Sequence, residues 1–498
     1  MTTTAEDAAR DAWPAFTGPE LCARTAHDIV ALLRRREIGP TDLIDACMQR
    51  IRTVDPLINA LPTLCEERAR GKVAGLADAE RRNGSEPGWL AGLPLPIKDL
   101  TPVSGVRTTF GTPGLADFLP EESAPIVERL EANGGLVIGK SNTPEMGAGG
   151  NTFNAVLGST RNPWDVARNA GGSSGGAAAA LAAGEAWLAH GSDLAGSLRT
   201  PAAYCGVVGL RPSPGRAGGG PADLAFNHEG VQGPMARTVL DAALFLDAMA
   251  GFDPREFLSL EAPAEPFQAA VQSAKPPVRI AYAPDLNGFA PLEPEIEAIM
   301  RAALERLQPL GTEIVEACPD LSDLYRTYVV LRGFFWAALP GRLPDAVQAG
   351  FKQTLTENIA FGRQCTIDDV VEAHRNRSRL FLTMQGFLET HDVLACAVVG
   401  LEPDRVEVEY PPFVNGTPVS DYVDWLRFSF LATTTGLPAL SLPVGRTRSG
   451  MPVGLQLIGP PRGEAKLLAV ASVLEGVCDF VGRTPIDPVV HTNGETAS

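Results

Sequence analysis

Two serines stand twenty-four residues apart, each inside a glycine cluster: Ser173 in Gly171–Gly176 and Ser197 in Leu194-Ala195-Gly196-Ser197. Glycine opens backbone conformations closed to other residues and lets a ligand approach the main chain. A third group stands upstream. Lys98 ends the apolar run Pro94-Leu95-Pro96-Ile97 and is one of only six lysines in the chain, so it is not surface filler. Serine alone is a poor nucleophile and needs a base. A lysine serves as that base only when neutral, and apolar burial favours the neutral form from an ordinary pKa of about 10.4. Amide hydrolysis also needs donors for a tetrahedral oxyanion and a proton for the departing amine. The spacing therefore points to a serine hydrolase activated without histidine. Ser173 could relay a proton, and the successive N–H groups leading to Ser197 could converge on an oxyanion.

Competing motifs fare less well. Gly134–Ser141 (GGLVIGKS) fits a phosphate-loop pattern, but a phosphate loop needs a strand before its first glycine and a helix after its lysine. Here the apolar residues lie inside the motif, and Asn142-Thr143-Pro144 follows. The segment reads as a turn plus a strand. Gly171–Gly175 (GGSSG) fits the nucleophile elbow, yet the polar stretch before it, with Pro163 and Trp164, is no buried strand. His228, His374, His391 and His491 occupy no telling context. His190 lies near Ser197 in sequence and reads as structural. The aromatics Tyr325, Tyr328, Phe334, Phe335 and Trp336 at helical spacing read first as core, and one face of such a core can also wall a pocket.

The elements that must hold these groups alternate. Residues 24–54 read as two amphipathic helices parted by Gly39-Pro40, with Thr41 as cap of the second. Residues 63–82 read as a helix. Leu93–Ile97 reads as a strand, Ala124–Ala132 as a helix stopped by Asn133-Gly134-Gly135, and Leu136–Ile138 as a buried strand. The residues after Gly176 form a helix. Gly215–Pro221 is a glycine-rich loop, and 253–277 is proline-rich and peripheral. Val278–Tyr282, His391–Val399, Leu440–Val444 and Val453–Ile458 read as strands, the last two paired around Arg446–Met451. Residues 293–309 and Glu464–Glu475 read as helices, and 320–385 reads as helical and aromatic-rich. The strand–helix–strand rhythm predicts an α/β fold with a mostly parallel sheet. No repeat or long linker divides the chain, so one domain is expected over 1–498, with a variable helical region near 255–430.

Bulk properties narrow the function. The chain has 498 residues, is 45 % hydrophobic and carries a net charge of −17. Without a basic patch, nucleic acid and anionic membrane surfaces are poor partners. The eight cysteines (Cys22, Cys47, Cys65, Cys205, Cys318, Cys365, Cys396, Cys478) form neither CxxC nor a metal spacing. They read as reduced thiols. The acidic N-terminal residues lack the apolar core of a secretion signal, and no run of about 20 apolar residues occurs. A cytoplasmic location is expected, with disorder confined to MTTTAEDAAR and TNGETAS. No metal or organic cofactor is implied.

The segments LPLPIKDL, GKSNTPEMG, GGSSGGAAAALAAG, HGSDLAGSLRTPAAYCGVVGLRP, GPMARTVLDAALFLDAMAG and TGLPALSLPVG with GMPVGLQLIG appear in order. Over about 24–255 and 430–476 the chain resembles the amidase signature family. The resemblance implies an α/β/α sandwich around a large twisted mixed sheet, with a signature core at about 85–215. It also implies a Ser–cis-Ser–Lys triad: nucleophile Ser197, bridge Ser173 after a cis bond from Gly172, base Lys98. The oxyanion hole falls on the main chain of Leu194, Ala195, Gly196 and Ser197. Ser174 would join the triad network, and Asp193 and Arg199 would brace the nucleophile loop. The family usually reads GTDTGGS where this chain reads GSDLAGS, so Ser192, Leu194 and Ala195 depart from it. Ala195 resembles the branch that opens nylon-oligomer cyclic amides and similar urethane-cleaving amidases.

The expected substrate is thus a small apolar amide or carbamate. One alternative is the glutaminase-like component of a tRNA-dependent amidotransferase, which needs a permanent partner. Another is a non-catalytic binding protein on the same scaffold. The sequence leaves the oligomeric state open, a homodimer included.

Overall fold

The computed structural model describes residues 13–218, 224–480 and 482–491. The expectations for MTTTAEDAAR, TNGETAS and the second half of the Gly215–Pro221 loop lie outside them. Lys98 is placed by a small three-stranded sheet. Strand β1 (Thr63–Leu64) pairs antiparallel with β3 (Leu136–Ser141), which pairs parallel with β2 (Pro94–Lys98). Proline lacks an N–H for the ladder, so a strand holding Pro94 and Pro96 belongs at an edge. That is where β2 lies, and its register slips between Leu95 and Pro96. All five residues of β2 are buried.

The large sheet has eight strands: β4 (Leu188–Asp193), β5 (Val208–Arg211), β6 (Val231–Ala236), β7 (Arg279–Tyr282), β8 (Glu313–Glu316), β9 (Val393–Ala397), β10 (Ala439–Arg446) and β11 (Pro452–Ile458). Their order is β8-β7-β9-β11-β10-β5-β6-β4. Only β7 pairs in parallel, with β8 and β9; the other pairings are antiparallel. The sheet is mixed, which corrects the mostly parallel reading. That reading rested on helices between strands, but β10 and β11 form a hairpin, and β6 returns antiparallel beside both β4 and β5. Helices surround the sheet. Three of its strands come from the 255–430 region.

Boundaries differ where local chemistry outweighs pattern. The second N-terminal helix spans Pro40–Ile58 and its cap is Gly39, not Thr41. Proline suits the first helical position, and the Asp42 carboxylate accepts the Gly39 N–H at 2.8 Å. The helix expected at 63–82 is strand β1 followed by Glu66–Val73 and Leu76–Asn83, parted at Gly75. The 253–277 stretch is not wholly peripheral. It contains the helix Phe267–Gln272, with Phe267 buried, packed on the helices Val239–Met249 and Glu464–Val477.

Two short helices complete the frame of the serines. Gly175–Ala182 is buried on every side, as a helix apolar all round must be. Arg199–Cys205 follows β4 after a short turn and is also fully buried. Among the described residues no helix is long and apolar enough to cross a membrane.

Candidate active site

Strand β2 lies against β4, so its last residue meets the end of β4 and the Gly171–Gly176 loop. The Lys98 side chain has no exposure to solvent. Its Nζ donates to Ser173 Oγ at 2.7 Å and Ser174 Oγ at 2.9 Å. It also reaches Ser192 Oγ at 3.1 Å and the Ser192 carbonyl at 3.4 Å. Among the described residues no carboxylate forms an ion pair with it. Burial lowers its pKa to about 7, against the pull of Asp193. The amine is therefore half neutral near physiological pH, as a lysine base requires.

His190 has a different task. The main-chain N–H of Lys98 donates to its Nδ1 at 3.4 Å. Burial, and then the charge of Lys98, lower its pKa to about 3. It stays neutral and braces the strand, in line with the structural reading.

The Gly172–Ser173 peptide bond is cis, as the resemblance implied. A Cβ on Gly172 would lie 3.0 Å from the main chain of Gly150 and Asn151, so only glycine fits comfortably there. Ser174 joins the two serine loops. Its N–H donates to the Ser197 carbonyl at 3.1 Å. Its hydroxyl donates to the Ser192 carbonyl at 3.2 Å and accepts the Ser192 N–H at 3.4 Å.

The loop of Ser197 hangs on one buried carboxylate. Asp193 accepts the N–H of Gly196 at 3.0 Å and of Leu198 at 3.1 Å. Arg199 grips it through Nε at 3.0 Å and Nη2 at 2.9 Å. Arg211 adds a contact at 3.2 Å and also binds the Asp193 carbonyl at 2.8 Å. Burial alone would raise the Asp193 pKa; Arg199 and Arg211 hold it well below the usual carboxylate range. Asp193 and Arg199, both expected at this loop, thus meet each other there in a buried ion pair. Arg211 escapes a sequence reading: it stands in the GLRP segment, but nothing in its spacing aims it at Asp193. Gly196 sits at φ +89°, and a Cβ there would meet Ser429 and Thr200 at 3.0 Å. One correction follows. The Gly196 N–H is taken by Asp193 and is not a free oxyanion donor. Among the described residues no acceptor takes the N–H of Ala195 or Ser197.

Ser173 and Ser197 are 2 % and 6 % exposed, and both open onto one cavity of about 510 Å³. Leu100, Phe110, Ile126, Met146 and Phe257 form much of its wall. Phe110 and Met146 both have positive φ, and the Met146 N–H donates to the Phe110 carbonyl at 2.7 Å. The aromatic cluster divides. Phe335 and Trp336 line the cavity, Tyr325 and Tyr328 pack on Phe430, and Phe334 is exposed. His228, His374, His391 and His491 do not line it. The GGLVIGKS segment is a turn and strand β3, and only a single 3₁₀ turn, Glu145–Gly147, follows it. The GGSSG segment follows the small hairpin strand Asp165–Asn169, not a buried sheet strand.

Comparison with known proteins finds relatives over nearly the whole chain. A family model described as Amidase matches residues 42–468. An acylamidase of Rhodococcus erythropolis is 35 % identical over 477 residues, which is 94 % of this chain and 98 % of the relative. A glutamyl-tRNA(Gln) amidotransferase component from Moorella thermoacetica is 35 % identical over 497 residues, 94 % of this chain and 99 % of the relative. A solved structure of 6-aminohexanoate cyclic dimer hydrolase complexed with substrate superposes with a TM-score of 0.82 at 28 % identity, covering 93 % of this chain and 99 % of that one. The chain belongs to the amidase family and is an amidohydrolase of mixed α/β fold.

Proposed function

We propose that the enzyme cleaves the C–N bond of small amides or carbamates, urethanes included, through an acyl-enzyme on Ser197. The observation that carries this reading is the buried contact of Lys98 Nζ with Ser173 Oγ at 2.7 Å, in a cavity shared with Ser197. Neutral Lys98 takes the proton of Ser173 as Ser173 takes that of Ser197. The Ser197 oxygen adds to the carbonyl carbon, and the carbonyl π pair moves onto oxygen. The N–H groups of Ala195 and Ser197 receive that charge, with Leu194 beside them. Each such donor is worth about 10²–10³ in kcat. The proton then passes back through Ser173 to the nitrogen, the C–N bond breaks, and the amine leaves. Water activated by the same relay hydrolyses the ester and frees Ser197.

The reaction uses only side chains, main-chain amides and water. The apolar wall supports a substrate with an apolar body, and the proposed partner is that small molecule. The net charge of −17 speaks against polyanions. The test is turnover of a neutral chromogenic anilide by the wild type, Ser197→Ala and Lys98→Ala. Activity near the wild-type level in either variant overturns the assigned roles.

The amidotransferase relative favours a second reading, a glutaminase that works within a larger complex. Glutamine is short and carries an ammonium beside its carboxylate, and the apolar wall at Leu100, Ile126 and Phe335 does not suit that group. Measurable glutaminase activity with co-purification of a second protein would establish it over the first.

A further inference from the structure

The cavity wall is not apolar throughout: Gln232, Arg255 and Glu256 line it, and so does Arg332. Arg332, on the helix Leu324–Ala338, is 4 % exposed and lines the cavity that holds Ser173 and Ser197. Its guanidinium lies between two aromatic rings, 5.5 Å from the centre of Trp336 and 5.4 Å from that of Tyr422. Nη2 donates to the Tyr422 hydroxyl. Nε has no partner. Among the described residues no carboxylate pairs with it.

The other buried arginines are treated differently. Arg199 and Arg211 share Asp193. Arg50 pairs with Asp487, and Arg377 with Glu229. Arg237 donates to the carbonyls of Cys22 and Arg24. At the cavity mouth Arg255 is neutralised by Glu128 and Asp253. Arg332 alone in this set faces the cavity without an anion or a carbonyl.

A buried charge without a counter-charge is costly, and a guanidinium fork matches a carboxylate in geometry. The flanking rings hold its plane. We propose that Arg332 binds a carboxylate at the far end of an otherwise apolar substrate, so that the preferred amides carry an acid group. This deepens the reading of the Ser197 site. On this reading the scissile carbonyl lies at Ser197 and the acid at Arg332, and Phe335, Met146 and Ile126 line the same cavity.

The test measures competitive inhibition of neutral anilide hydrolysis by 4-phenylbutyrate and by 4-phenylbutan-1-ol. In the wild type the acid is expected to bind at least about tenfold tighter than the alcohol, the scale of a charge-assisted hydrogen bond. In Arg332→Met that ratio is expected to fall toward one, and in Arg332→Lys to an intermediate value. An alcohol that binds the wild type as well as the acid overturns the proposal, and this measurement needs no variant. A preference that survives Arg332→Met overturns it too, because the acid then sits elsewhere, such as the Ser197 loop. Calorimetric titration of Ser197→Ala with the same two probes separates this proposal from the catalytic one. The acid preference must persist there whether or not Ser197 is the nucleophile.

Discussion

Lys98 ends β2, Lys140 stands one residue before the end of the neighbouring β3, and the two are equally hidden from solvent. Burial lowers both, to about 7 and about 8. Their partners differ. Lys140 donates to the Thr101 carbonyl at 2.6 Å and Thr108 Oγ1 at 2.9 Å, and it lies 3.6 Å from Asp99. Lys98 meets hydroxyls and one carbonyl. Burial alone therefore does not make a base. Lys140 is locked to a counter-charge and sealed by threonines, whereas the Lys98 amine reaches the cavity through the Ser173 hydroxyl.

The strongest way to break this contrast is to remove each amine. Lys98→Met is expected to lower kcat/KM by about 10²–10⁴, the range for a general base. It should not lower the melting temperature. The unfolded chain holds the Lys98 proton up to about pH 10.5, the folded chain only below about 7. This lysine's cost to stability is thus full below pH 7 and absent above 10.5, and methionine removes it. The variant should gain on the wild type more at pH 7 than at pH 10. Lys140→Met should do the reverse. It strands the Asp99 carboxylate, at a cost of about 3–5 kcal/mol, while turnover per folded molecule stays within about tenfold. Thermal melts with active-site titration decide; equal losses of activity in the two variants would erase the distinction.

The pH dependence sharpens the same point. With Lys98 lowered to about 7 by burial, kcat/KM should rise through pH 7 as the amine loses its proton, then level off. A profile flat from pH 6 to 10 contradicts a lysine base. The acid limb should be unaffected by Lys140→Met, since the Lys140 amine does not contact the serines.

Much of this site is legible in the chain because its parts are local. The run Leu93–Ile97 announces a strand, and Lys98 stands at its end. The glycines around Ser173 and Ser197 announce tight main-chain approaches, such as Gly172 against Asn151. The fold class is legible too. What stays hidden depends on distant pairing. The choice between parallel and antiparallel neighbours is made by which strands meet, and β6 beside both β4 and β5 is invisible in local periodicity. The capture of the Gly196 N–H by Asp193, three residues earlier, needs the turn's conformation, not its composition. Lys140 is masked by a false phosphate loop, and its pairing with Asp99 requires β2 and β3 to be aligned. Arg332 lies in a helix whose sequence draws attention only to its aromatics.

Ser192 offers the finest test of the Lys98 environment. Its hydroxyl stands 3.1 Å from Lys98 Nζ, at a position where the family usually carries threonine. As an acceptor it favours the charged amine. Ser192→Ala should therefore move the acid limb of kcat/KM to lower pH, by about 0.3–0.5, since one hydrogen bond is worth about 0.5–1.5 kcal/mol and other acceptors compensate in part. Ser192→Thr should restore it. A limb that stays in place while the melting temperature falls would make Ser192 a packing residue of β4 and leave the amine governed by burial and the Ser173–Ser174 pair alone.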